Sequence, residues 1–182
     1  MVKRQVFFSF RYLYDTWRVS QIRNMGKVSD DSTFSDNDWE VVHNETDESI
    51  RNWIKTEMKM RSCIVVLIGE HTNGRKWINF EIEHAWKNGK GIVGINIHRL
   101  KDSDGKQANK GNNPFSDFCI DTKINYIAHH SIPSDNTEKN LTTVIKTYNP
   151  PYSNSTNVYD YINNHIADWI EEAIIIRNKY PK

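Results

Sequence analysis

The sequence predicts an α/β fold with a central, mainly parallel sheet and helices on both faces. Three observations carry this expectation. Residues 62–69, SCIVVLIG, are apolar on both alternating faces, as a parallel strand covered on both sides must be. Similar short runs of strand-forming residues recur at 5–10 and 92–97. Segments of helical period separate them, so strands and helices alternate along the chain.

Taken in order, Gln5 to Phe10 reads as the first strand. Asp15 is expected to cap a helix running to about Met25, with Val19 and Ile22 on its inner side. Residues 26–38 are polar and turn-rich, and a short second strand is expected at Trp39-Glu40-Val41-Val42. Asp47 is expected to cap the next helix, whose Ile50, Trp53, Ile54 and Met58 share one face. After the 62–69 strand, a helix is expected from Lys76 to Lys87, stopped by Asn88-Gly89-Lys90-Gly91.

Beyond the 92–97 strand, residues 99–123 form a long polar insertion containing Gly105, Gly111 and Pro114. Such long loops tend to be functional or disordered. Residues 123–128 read as a last edge strand. Asn149-Pro150-Pro151 breaks the chain before a final helix at about 157–179, with Ile162, Ile166, Trp169, Ile170, Ala173 and Ile174 on one face. No internal repeat or domain boundary interrupts the pattern. The expectation is one domain over 1–182, doubly wound and of flavodoxin-like type.

Composition narrows the function. Lys plus Arg number 24 and Asp plus Glu 23, so the net charge of +1 offers no basic surface for nucleic acid. The start, Met1-Val2-Lys3-Arg4, lacks a signal peptide, and no run approaches the about 18 apolar residues of a membrane helix. Cys63 and Cys119 fit no metal-ligand spacing, and His129-His130 has no ligating company in sequence and reads as loop. A cytoplasmic protein is expected. There is no Walker motif, no GxGxxG and no nucleophile elbow.

In doubly wound sheets, ligands bind beyond the carboxyl ends of the strands. Ser9, Phe10 and Arg11 reach that edge from the first strand, His98 from the strand at 92–97, and Trp77 and Glu81 from the helix at 76–87. On that helix Ile78, Ile82, Ala85 and Trp86 make the buried stripe, and Glu81 falls at its margin. Glu81 is then either a carboxylate placed for work on a ligand or a solvated helix glutamate. Arg11 either binds phosphate or pairs with Asp15. His98 is either a ligand contact or a hydrogen-bonded strand-end histidine.

At these residues the chain resembles the TIR domain family, and within it the TIR-like branch of bacterial Thoeris anti-phage defence, the ThsB component. The resemblance rests on Phe7-Phe8-Ser9-Phe10-Arg11, Asp15-Thr16-Trp17-Arg18, the 64–69 strand, Arg75-Lys76-Trp77-Ile78-Asn79-Phe80-Glu81-Ile82 and Gly94-Ile95-Asn96-Ile97-His98. It covers roughly the first 100 residues. The order and spacing of these segments are more specific than any one of them.

The resemblance implies an enzyme that cleaves NAD. Glu81 would be the catalytic carboxylate, with Ser9, Phe10, Arg11, Trp77 and His98 binding substrate. Phe10 and Trp77 would stack on a ring, and Arg11 would hold the pyrophosphate. No metal and no resident cofactor are implied, NAD being the substrate. The branch further implies a cyclic ADP-ribose isomer that diffuses to a separate effector, and leaves open a phage-derived trigger and a homo-oligomer. Tyr12 stands where many relatives have a second basic residue, and the 99–123 segment is not general to the family. The competing reading is a non-catalytic TIR adaptor. A phosphoacceptor receiver would need an acidic cluster at the strand ends, and the first strand offers none.

Overall fold

The computed structural model describes residues 3–28 and 45–180. Its centre is a four-stranded parallel sheet made of β1 (Val6–Ser9), β2 (Cys63–Ile68), β3 (Gly91–Asn96) and β7 (Thr147–Tyr148), in the order β1-β2-β3-β7. Every residue of β2 is buried, as its unbroken apolar run requires. The register pairs Ser9 with Val66 and Val66 with Gly94, so the carboxyl ends of the first three strands lie side by side.

Alternation along the strands sends side chains into two hydrophobic layers. Val6, Phe8, Val65 and Leu67 meet α1 (Tyr12–Arg23) and α4 (Ser155–Asn178) on one face. Ile64, Val66 and Ile68 meet α2 (Asp47–Met58) and α3 (Lys76–Lys87) on the other. The expected helix 76–87 and the apolar face of the last helix are as read from the sequence. Gly89, at φ 71°, turns the chain out of α3.

Two caps differ from expectation. The first helix begins at Tyr12, with Arg11 in the capping position and Asp15 inside its first turn. The chain enters the helix directly from the strand end, where Arg11 O accepts from Asp15 N at 3.0 Å. Thr46, not Asp47, caps α2, its hydroxyl accepting from Ser49 N. Asp47 instead pairs with Lys76. The strand expected at 39–42 lies outside the described residues.

The larger departure lies between β3 and α4. A 3-10 turn at Pro114–Asp117 leads into β4 (Cys119–Asp121), which pairs antiparallel with both β5 (Tyr126–Ala128) and β6 (Glu138–Asn140). The expected edge strand at 123–128 therefore belongs to a second, three-stranded sheet. Among the described residues, the edge of the main sheet beside β3 is β7, two residues long and too short to show a period. The small sheet leans on α3 through Trp86 Nε1, which donates to Asn125 O at 2.7 Å. No helix among the described residues is long and apolar enough to cross a membrane.

Candidate active site

The site is set by the alternation of β1. Val6 and Phe8 point into the α1–α4 layer, so Ser9 points to the other face, where α3 crosses. There Ser9 Oγ donates to Glu81 Oε2 at 2.5 Å. Glu81 is 5 % exposed, enclosed beside Ile78, Ile82 and Ala85 of its own helix. The sequence places it at the margin of the buried stripe, and closure of β1 on α3 completes its burial. Loss of hydration pushes its carboxyl up to about 8, against the pull of the Ser9 bond.

The other expected site residues divide. Arg11 leaves β1 at the start of α1, its Nε buried without a hydrogen-bond partner among the described residues and its Cζ 5.8 Å from the Tyr14 ring. Asp15 pairs with Arg18 at 3.3 Å. His98, just past β3, is buried and its Nδ1 has no hydrogen-bond partner among the described residues. Burial, then the charges of Arg99, Lys110 and Arg18, hold it below its ordinary pKa. Trp77 precedes Glu81 by four residues on α3 and packs edge-on against Phe80 at 6.2 Å. Phe10 packs with the α1–α4 layer, 5.4 Å from the Arg23 guanidinium carbon. The structure thus joins Ser9 to Glu81 and sets Phe10 and Trp77 in opposite layers.

Sequence reasoning missed the part played by Asp15 and Arg18. Asp15 is buried, and its Oδ2 has no hydrogen-bond partner among the described residues. Desolvation raises its pKa, while Arg18 and His71 oppose the shift. A Cβ at Gly69 would overlap that carboxylate, so any larger residue at the end of β2 would force the Asp15 side chain to move. Arg18, also buried, donates to Leu100 O at 2.8 Å and Lys106 O at 3.0 Å. The following loop then comes down on the sheet edge. Ala108 N donates to His98 O, Asn109 bonds Glu70, and a Cβ at Gly111 would strike Gly69 O. The signal was present as an i, i+3 Asp–Arg pair beside Val19 and Ile22 on a helix that starts at the sheet edge.

Among the described residues, Arg11 Nε, Asp15 Oδ2 and His98 Nδ1 are buried at this edge without hydrogen-bond partners, as is Asn73 Oδ1 in the loop after β2. Native proteins rarely leave such groups unpaired, and a binding site is one setting in which they occur. A parallel sheet with a buried carboxylate delivered to its carboxyl edge by the helix after β2 is the arrangement of a TIR-like domain. The family model described as "Thoeris protein ThsB, TIR-like domain" matches residues 7–102, more than half of the chain. The chain belongs to this family. It is also 36% identical over 121 residues to a Bacillus cereus (strain MSX-D12) protein named "Putative cyclic ADP-D-ribose synthase ThsB1". The match covers 63% of this chain and 62% of that relative, so it spans less than two thirds of the relative's length. Glu81, Trp77, Ser9, Arg11, Asp15 and His98 all fall inside the family match.

Proposed function

We propose that the protein cleaves the nicotinamide–ribose bond of NAD and closes the ADP-ribose on itself to give a cyclic signal in Thoeris defence. The observation that carries this reading is the buried, Ser9-bonded carboxylate of Glu81 at the carboxyl edge of the sheet. The name of the 36%-identical relative supports the cyclising outcome.

Bond cleavage sends the electron pair to the nicotinamide nitrogen and leaves an oxocarbenium-like ribose. A carboxylate in a desolvated site stabilises that cation far more than one in water. The positive nicotinamide ring of bound NAD favours the ionised form of Glu81, offsetting the burial that raises its pKa in the free protein. Ser9 fixes the carboxylate's orientation. Arg11 is assigned to the pyrophosphate and His98 Nδ1 to a hydroxyl or phosphate of the substrate. Trp77 offers a ring on the Glu81 side, while Phe10 supports the site from the opposite layer. Attack by an internal group of the adenine or ribose closes the ring and releases a proton, while attack by water gives open ADP-ribose. The cyclic product would diffuse to a separate effector.

The test is incubation of triggered protein with NAD and resolution of the products by mass spectrometry, beside Glu81→Gln. Wild type should release nicotinamide and an equal amount of a cyclic ADP-ribose isomer. The variant should turn over at least about 10²-fold more slowly, the loss typical of one key electrostatic stabiliser. Equal NAD consumption by the two would overturn the mechanism and favour an adaptor.

A further inference from the structure

We propose that Cys119, His130 and Glu138 form a binding site for a zinc-class divalent metal ion on one face of the small antiparallel sheet. One ligand atom from each lies within 4.8 Å of the others. Their meeting follows from strand register. Cys119 pairs with Ala128 of β5 and with Asn140 of β6. Side chains two residues apart share a face of a strand. Glu138, two residues before Asn140, therefore lies diagonally beside Cys119. His130 follows Ala128 by two residues, where its N–H donates to Ala128 O at 3.0 Å and turns the chain at the strand end. None of the three falls within the family-matched segment.

The donor set names the ion. One thiolate, one imidazole and one carboxylate suit zinc, and suit magnesium or calcium poorly. A divalent ion with the Cys119 thiolate, the Glu138 carboxylate and a neutral imidazole makes an electrically neutral centre. The fourth position of the tetrahedron would take water. Ligand atoms of a tetrahedral zinc sit roughly 3.3–3.8 Å apart, so side-chain adjustments of about 1 Å suffice to seat the ion.

The carboxylate is already held in place. Its Oε2 accepts from Ser134 N at 2.8 Å and Ser134 Oγ at 2.6 Å, and bonds His130 Nε2 at 2.9 Å. All these bonds fall on Oε2, which leaves Oε1 for the ion among the described residues. Cys119 is buried, burial raises its thiol above the ordinary range, and a cation beside it would favour the thiolate. Binding exchanges the S–H bond for an S–metal bond and releases one proton to solvent. The three strands have three residues each, too few to hold a sheet strongly by themselves. A metal joining all three would brace the layer packed on α3.

The test is a titration of the full chain with Zn²⁺ and with Co²⁺. Metal analysis after dialysis should find one zinc per wild-type chain, and Co²⁺ should produce a near-ultraviolet thiolate charge-transfer band. Cys119→Ser should abolish the band. His130→Ala and Glu138→Gln should each weaken Zn²⁺ binding at least about tenfold. His130 is partly exposed, so its variant gives the answer should Cys119→Ser fail to fold. A band that survives in a folded Cys119→Ser protein, or wild-type zinc binding no tighter than that of His130→Ala, would overturn the site.

Discussion

Glu81 and Glu138 start from the same carboxyl chemistry and end at opposite extremes. Glu81 sits under the parallel sheet with one hydroxyl donor, and burial pushes it up to about 8. Glu138 sits on the small sheet with three hydrogen-bond partners, and it is held down at about 2. Count of donors against loss of water decides the sign. An under-solvated carboxylate gains most when a positive charge appears beside it, which suits a site for a cationic intermediate. A carboxylate with one oxygen held by several donors is already an anion fixed in one place, with its other oxygen left for a metal, which suits a structural ligand.

The largest effect that tests this contrast is on folding stability. The folded pKa of Glu81 lies above its unfolded value of about 4.5, so the folded state binds the extra proton between pH 4.5 and 8. Stability therefore falls as pH rises through that window and levels off above it. Glu81→Gln removes the ionisation. The stability difference between variant and wild type should swing toward the variant from pH 4.5 to 8 by an amount on the order of a few kcal/mol. Urea unfolding at several pH values measures it. A pH-independent difference would mean that Glu81 is not buried as described. Position on a helix wheel alone suggests a flank glutamate of little consequence to folding, and burial changes that expectation.

A smaller effect is expected in kinetics. The pH dependence of kcat/KM reports groups of the free enzyme. If ionised Glu81 does the work, kcat/KM should rise with pH along a limb near 8. The Ser9 bond lowers that pKa, so Ser9→Ala should move the limb upward by roughly one unit. An unmoved limb would separate Ser9 from the carboxylate and leave it a packing residue.

Legibility in the sequence followed the range of the forces involved. β2 is an unbroken apolar run, α3 and the last helix are long and strongly periodic, and the bounds of all three were readable to within about two residues. Glu81 was readable as a candidate from its helical phase. Its burial was not, because that depends on where β1 settles. The resemblance grouped Phe10 with Trp77, yet strand alternation puts Phe10 in the layer away from Glu81. β4, β5 and β6 are too short to leave a period, so the cross-strand meeting of Cys119, His130 and Glu138 was invisible as spacing. His130, read as loop, acquires its company only through pairing across strands.

The smallest expected effect belongs to Glu138, and it has the opposite sign. Its folded pKa is depressed from 4.5 to about 2, chiefly by the Ser134 hydroxyl and amide and then by His130. The unfolded state therefore binds the extra proton in that window. Stability from these bonds is complete above pH 4.5 and is lost as pH falls toward 2. Glu138→Gln should lower the melting temperature of metal-free protein at neutral pH. Its deficit should shrink as the pH drops from 4.5 to 2, where the wild-type carboxylate itself becomes protonated. The measurement is a pair of melting curves in chelator across that range. The group lies near solvent, and added salt should reduce the deficit, unlike the swing expected at buried Glu81. A deficit that holds constant down to pH 2 would place the stabilisation in packing around Glu138 rather than in its charge.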